Sequence, residues 1–159
     1  MESTTRLAYE IATRQLIAQK EDLRNLRNQA SFAAAVTGLL ATFFATMLGP
    51  QVLEDVLGCL YVVGIRLEMW LVVFAITGSI CYAILVITGW QKVTFDLEVE
   101  WVLQEHKNGV GLESIYGKLA KDMDCFFVSN EEVVTAAKCN LLMSLILSFL
   151  QIPAWLLLF

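Results

Sequence analysis

Three stretches without Asp, Glu, Lys, Arg or His, each long enough to cross a bilayer, constrain this chain more than any other feature. A helix needs about 20 mostly apolar residues to span a hydrocarbon core about 30 Å deep. Residues 29–49 (QASFAAAVTGLLATFFATMLG), 69–90 and 139–159 each meet that requirement. Pro50 closes the first run, because proline cannot continue a helix comfortably. Trp70 and Trp90 mark the ends of the second, where amphipathic rings favour the headgroup region, and the third contains Pro153 and Trp155. Composition points the same way. Of 159 residues, 57% are hydrophobic and 17% charged, with a mean hydropathy of +0.63, against about 25% charged in a soluble domain. One ordinary core would leave large apolar patches exposed. The expected fold is therefore all-α, a helical membrane protein with about three transmembrane helices.

The same numbers exclude other classes. Two prolines and nine glycines are too few for a disordered or collagen-like chain, and a net charge of −5 gives no general basic footprint for nucleic acid. The charged N-terminal residues 1–28 lack the apolar core of a signal peptide, so they are expected to remain as a cytoplasmic helix.

Basic residues are retained in the cytoplasm, which sets the expected orientation. Arg6, Arg14, Lys20, Arg24 and Arg27 lie before the first span, Arg66 alone lies in the connector 50–68, and Lys92, Lys107, Lys118, Lys121 and Lys138 lie in the segment 91–138. This pattern fits three crossings of a cell inner membrane with the N-terminus and segment 91–138 inside. The uncharged part of the connector, 56–65, is only about ten residues, short of a crossing. An external or interfacial segment is expected there, with a re-entrant helix as the alternative.

Both cytoplasmic parts read as helices. Tyr9, Leu16, Leu23 and Ala30 recur every seven residues, with Ala12, Gln19, Leu26 and Ala33 between them, which predicts a seam running into the first span. Gln19 and the alanines suit packing on neighbouring helices better than a free-standing zipper. Residues 92–101 (KVTFDLEVEW) alternate like a strand, yet no partner strand is apparent, so a short helix over 97–107 is preferred, stopped by a C-cap at Asn108 and Gly109. From Leu112 a second seam begins: Leu112, Tyr116, Leu119, Met123, Phe126, Asn130, Val133 and Ala137, leading into the third span.

Within the spans, small and polar residues mark expected helix contacts, because lipid supplies no hydrophobic drive between helices. The first span has Ala30, Ala34, Gly38, Thr42 and Thr46 at steps of four; the second has Ala75, Ser79 and Ala83 beside Gly78; the third has Asn140, Ser144, Ser148 and Gln151 on roughly one face. Asn140 and Gln151 are expected to act as hydrogen-bonding glue, or alternatively to line a polar path in an oligomer. The spans contain no ionisable acid, base or histidine, so the usual sign of a proton relay or ion-coupled transporter is missing.

Catalytic chemistry is not expected. Cys59, Cys81, Cys125 and Cys139 form no CxxC pair, and His106 has no second ligand near it. Asp96, Glu98 and Glu100 read as solvated acids. No nucleophile elbow, P-loop, dinucleotide fingerprint or zinc-protease motif occurs. Neither a metal nor a cofactor is expected.

The stretch YEIATRQLIAQKEDLRNLRNQA (9–30), followed at once by a small-residue span, resembles the opening of a widespread bacterial group of small, uncharacterised integral membrane proteins. Asn130 before the last span, and Gln151, Ile152, Pro153, Ala154 and Trp155 inside it, are similar to the C-terminal region of that group. The design also resembles SLATT-like transmembrane effectors of nucleotide-signalling defence systems. That likeness implies cytoplasmic helices governing a membrane-disrupting or pore-forming assembly. Segment 91–138 balances five basic residues against nine acidic ones (Asp96, Glu98, Glu100, Glu105, Glu113, Asp122, Asp124, Glu131 and Glu132), which argues against direct binding of an anionic second messenger. Two expectations follow: a self-associating bacterial inner-membrane protein that gates or compromises the membrane when triggered, or a non-conducting scaffold or accessory subunit docking a cytoplasmic or membrane partner protein.

Overall fold

The computed structural model describes residues 4–47, 67–89, 93–95 and 99–157. The chain is helical throughout its regular structure, with no strand among the described residues. We number the helices α1 (Thr4–Met47), α2 (Leu67–Thr88), α3 (Val99–Lys107) and α4 (Leu112–Leu156). Three of them, α1, α2 and α4, are long and apolar enough to cross a membrane. The connector 50–66, Trp90, Asp96, Glu98, Cys59 and the last two residues lie outside the described part.

The long helices extend because nothing interrupts them. Residues 4–47 contain no glycine before Gly38 and no proline. Pro153 does fall inside α4; lacking an N–H, it cannot donate to the Phe149 carbonyl, and so removes one bond of the helical ladder near its end. The preferred short helix begins by Val99 and stops where the sequence indicated. Gly109 adopts φ +80, the Val110 N–H donates to the Glu105 carbonyl at 3.2 Å, and the Gly109 N–H donates to the His106 carbonyl at 3.1 Å. Those two bonds are a Schellman cap, which needs a left-handed residue at the position that glycine occupies.

The chain divides into two compact units. One comprises Met1–Asn25 and Gln91–Ala136, the other Leu26–Trp90 and Ala137–Phe159. We call them the polar and the apolar unit.

In the polar unit α1 and α4 run parallel. Tyr9 meets Tyr116 with ring centroids 5.4 Å apart, the Thr13 hydroxyl lies 3.4 Å from Met123 Sδ, and Gln19 Nε2 donates to the Phe127 carbonyl at 3.1 Å. Ala12, Leu16, Gln19 and Leu23 of α1, and Ile115, Leu119, Met123, Asn130 and Val134 of α4, are buried. Tyr116 and Phe126 are half-buried. Leu112, expected at the head of the seam, is instead 58% exposed. Leu112 is the first residue of α4, more than a turn before Gly117, whose Cβ position lies 3.8 Å from Thr5 near the described start of α1. Ile115 closes the seam in its place.

Residues 93–95 are neither strand nor helix. The Asn130 amide holds them by two bonds: Nδ2 donates to the Thr94 carbonyl at 2.8 Å and Oδ1 accepts from the Thr94 N–H at 3.2 Å. A single side chain thus satisfies the backbone groups that a neighbouring strand would have paired. Two cation–π contacts lie on the same region, Lys20 over Phe95 at 5.7 Å and Lys118 over Trp101 at 4.1 Å.

In the apolar unit α2 runs antiparallel to α1 and α4. Thr37 bonds Ser79, Arg27 approaches Gly89, and Phe44 packs on the cluster of Val72, Ala154 and Trp155. Each pairing moves up α1 as it moves down α2. Phe44 and Trp155 stack with centroids 5.8 Å apart and an interplanar angle of 14°.

Candidate functional site

Among the described residues, most of the buried polar side chains lie in the interior of the apolar unit. Thr37, Ser79, Ser144, Ser148 and Gln151 are all buried there. On α4, residues 144, 148, 151 and 155 fall within an arc of roughly 60° at 100° per residue, so one helix face presents the whole set. α1 contributes Thr37 because the seven-residue repeat of Leu16, Leu23 and Ala30 extends to it.

Ser79 and Ser144 form a reciprocal clamp. Ser79 Oγ donates to the Ser144 carbonyl at 2.9 Å, and Ser144 Oγ donates to the Ser79 carbonyl at 2.9 Å. Thr37 joins the third helix to them: its Oγ1 lies 3.0 Å from Ser79 Oγ, 2.9 Å from Ser148 Oγ and 2.8 Å from the Ala33 carbonyl of its own helix, and its single proton serves one of these acceptors at a time. Hydroxyls can approach this closely only where backbones do. Gly78 supplies that approach, since a Cβ there would stand 2.8 Å from Leu147 Cδ1. Toward the N-terminal side of α4 the lining turns apolar, with Ala30, Ala33, Ala83, Val86 and Leu141 buried.

Two polar groups lie beyond the hydroxyl layer without partners. Gln151 is fully buried, yet neither Nε2 nor Oε1 makes a hydrogen bond within the chain, and the buried Trp155 Nε1 makes none either. Burying an amide unpaired costs about 2–7 kcal/mol, depending on the reference state.

Of the residues singled out in the sequence, Ser79, Ser144 and Gln151 are inside the unit, and Asn140 is half-buried. Thr42 and Thr46 are exposed and Gly38 is half-buried, and none of the three joins the buried hydroxyl layer. A Cβ at Gly38 would meet no atom within 4 Å, while Thr42 and Thr46 bond back to the Gly38 and Phe43 carbonyls of their own helix at exposed positions. The reason is geometric: steps of four advance 400°, so such a row drifts about 40° per step around the helix, whereas alternating threes and fours hold one face. The inward residue is Thr37, which the step-of-four reading missed and the heptad, extended one more repeat, would have found. Leu16, Leu23, Leu119, Met123 and Asn130 are buried in the polar unit.

Two further features lie near the first residues of the proposed span. Gly89 has φ +52, and a Cβ there would stand 2.6 Å from Arg27 Nη2, so the guanidinium packs closely against the C-terminal end of α2. That end carries partial negative charge, which favours a cation. An open groove of about 380 Å³ is lined by Asn28, Gln29, Phe32, Leu141 and Leu145. It is polar at one end and apolar along the rest.

Among the described residues no cluster of His, Cys, Asp and Glu could hold a metal ion. Cys81, Cys125 and Cys139 are exposed, free thiols. The buried site is made of neutral hydroxyls, an amide and an indole, so its chemistry is hydrogen bonding. Comparison of the chain with models of protein families, with curated proteins and with solved structures finds no match.

Proposed function

We propose that this chain is a self-associating bacterial inner-membrane protein, in which the polar unit is cytoplasmic and controls an assembly of the apolar units that gates or compromises the membrane. One observation carries this reading: the apolar unit turns its hydroxyls and amide inward and leaves Gly38, Thr42 and Thr46 on an open face of α1. Small residues spaced by four let helices from separate copies approach closely, and threonines bonded to their own backbone leave no unpaired donor on that face. A conducting path would run between copies, because the interior of one chain is apolar at the level of Ala30, Ala83 and Leu141. The likeness of residues 9–30 and 151–155 to small bacterial membrane proteins, and of the general design to SLATT-like effectors, supports the same reading. Both long helices contribute residues to both units, which offers a covalent route for control.

The test is twofold. The full chain should purify as a homo-oligomer, and Gly38→Leu should reduce its size without lowering thermal stability. Expression should depolarise cells in a membrane-potential dye assay under phage challenge. A monomer with intact potential would sink the proposal.

A second reading has its own support. Leu7, Ile11, Leu103 and Leu112 of the polar unit are exposed, a pattern that suits a scaffold docking a cytoplasmic protein. A stoichiometric heterocomplex on gentle purification would favour it.

A further inference from the structure

Gln151 and Trp155 present three buried polar atoms that neither the helix packing nor the proposed self-association uses. The amide offers two donors and an acceptor, and the indole one donor. The side chains clustered at this level, Val72, Ala154, Phe44, Ala45 and Ile76, have no polar atom to give them. The carbonyls at the end of α1, the N–H groups at the start of α2 and the Phe149 carbonyl that Pro153 leaves free lie outside the helical ladders, yet the Gln151 amide bonds to none of them. Among the described residues no group satisfies Gln151. No charged residue occurs in 28–47, 69–88 or 139–157, so a charged ligand would have no counterion and the occupant must be small and neutral.

We infer that Gln151 and Trp155, with Ser148 one turn below, form an internal water-binding site in the apolar unit. The Gln151 Nε2 and Trp155 Nε1 groups donate to the bound water and Gln151 Oε1 accepts from it. Two to four polar partners are what a buried water requires. Immobilising a water costs less than leaving an amide unpaired. The wet stretch ends at the layer of Thr37, Ser79 and Ser144, beyond which the lining is Ala30, Ala33, Ala83, Val86 and Leu141. This inference rests on burial within one chain and not on self-association, so either can fail without the other.

Water-edited solid-state NMR on the ¹⁵N-labelled full chain in lipid bilayers tests it. The side-chain nitrogens are assigned by the signals that vanish in Gln151→Leu and Trp155→Phe. The expected result is magnetisation transfer from water to both nitrogens, none to the backbone amides of Ala83 and Val86, and loss of transfer to Trp155 Nε1 in Gln151→Leu. Trp155→Phe keeps a ring to stack on Phe44 and should reduce transfer to Gln151 Nε2. Absent transfer in the wild-type chain, or transfer unaffected by either substitution, overturns the inference.

Discussion

The polar and apolar units use the same seven-residue seam of α1 but fill it with different side chains. In the polar unit the seam is Leu16, Gln19 and Leu23 against Leu119 and Met123; in the apolar unit it passes from Leu26 to Ala30, Ala33 and Thr37, with Ser79, Ser144 and Ser148 near Thr37. Where water surrounds a helix pair, burying large apolar side chains is itself the driving force, roughly 1.5–3 kcal/mol for each Leu or Met removed from solvent. Lipid tails offer no such gain, so helices there adhere through close packing and hydrogen bonds. The change from large to small residues along one continuous seam is what the proposed membrane placement requires. The few polar residues in each unit also act differently. Asn130 holds a connecting segment by its backbone, while Ser79 and Ser144 join two helices directly.

Substitutions can break this contrast at several points. The largest effect is expected from Ser79→Leu, which overpacks a fully buried position and strands its partners; overpacking of about 1–3 kcal/mol and lost bonding of about 1–3 kcal/mol give a loss of about 2–6 kcal/mol in thermal unfolding in detergent. A change below about 1 kcal/mol, the lower end of either contribution, would mean the hydroxyl layer is loosely packed. Leu119→Ala, the counterpart in the polar unit, should cost about 2–5 kcal/mol by leaving a cavity, and its effect should weaken in mild denaturant acting from water. Asn130→Leu should cost about 1–3 kcal/mol, with faster hydrogen exchange at the Thr94 amide; unchanged exchange there would remove Asn130 from its role. Thr37→Val keeps the shape and deletes the hydroxyl, so only about 0.6 kcal/mol is expected, the average for hydrogen bonds between membrane helices. Gly38→Leu should alter the stability of the single chain by less than about 0.5 kcal/mol, because its Cβ position is open. Gly78→Leu, pressed against Leu147, should behave quite differently, and equal effects of the two would erase the distinction between inner and outer faces.

Much of this was legible because hydrophobic period and length act locally. The three apolar helices, the short helix before Asn108 and its glycine cap, the α1 seam and the buried face with Ser144 and Gln151 all follow from spacing. What escaped depends on neighbours. Gly38, Thr42 and Thr46 read as a contact face in the sequence, but which side of α1 meets α2 within the chain is set by the packing partners, and there it is Thr37. Leu112 fits the seam pattern well on its own helix, yet as the first residue of α4 it stays exposed. Thr94, inside the strand-like alternation, has its N–H and carbonyl bonded by one distant amide, a partner 36 residues away that no local pattern could name.

The sequence by itself determined that this chain is helical and that three of its helices can cross a membrane, because run length, charge and periodicity depend only on neighbours along the chain. Only the tertiary structure decided which polar groups face one another, which small residues remain open on α1, and that Gln151 and Trp155 are buried without partners. Those outcomes depend on register between helices, and register is fixed by the sum of many side-chain contacts that no single segment contains.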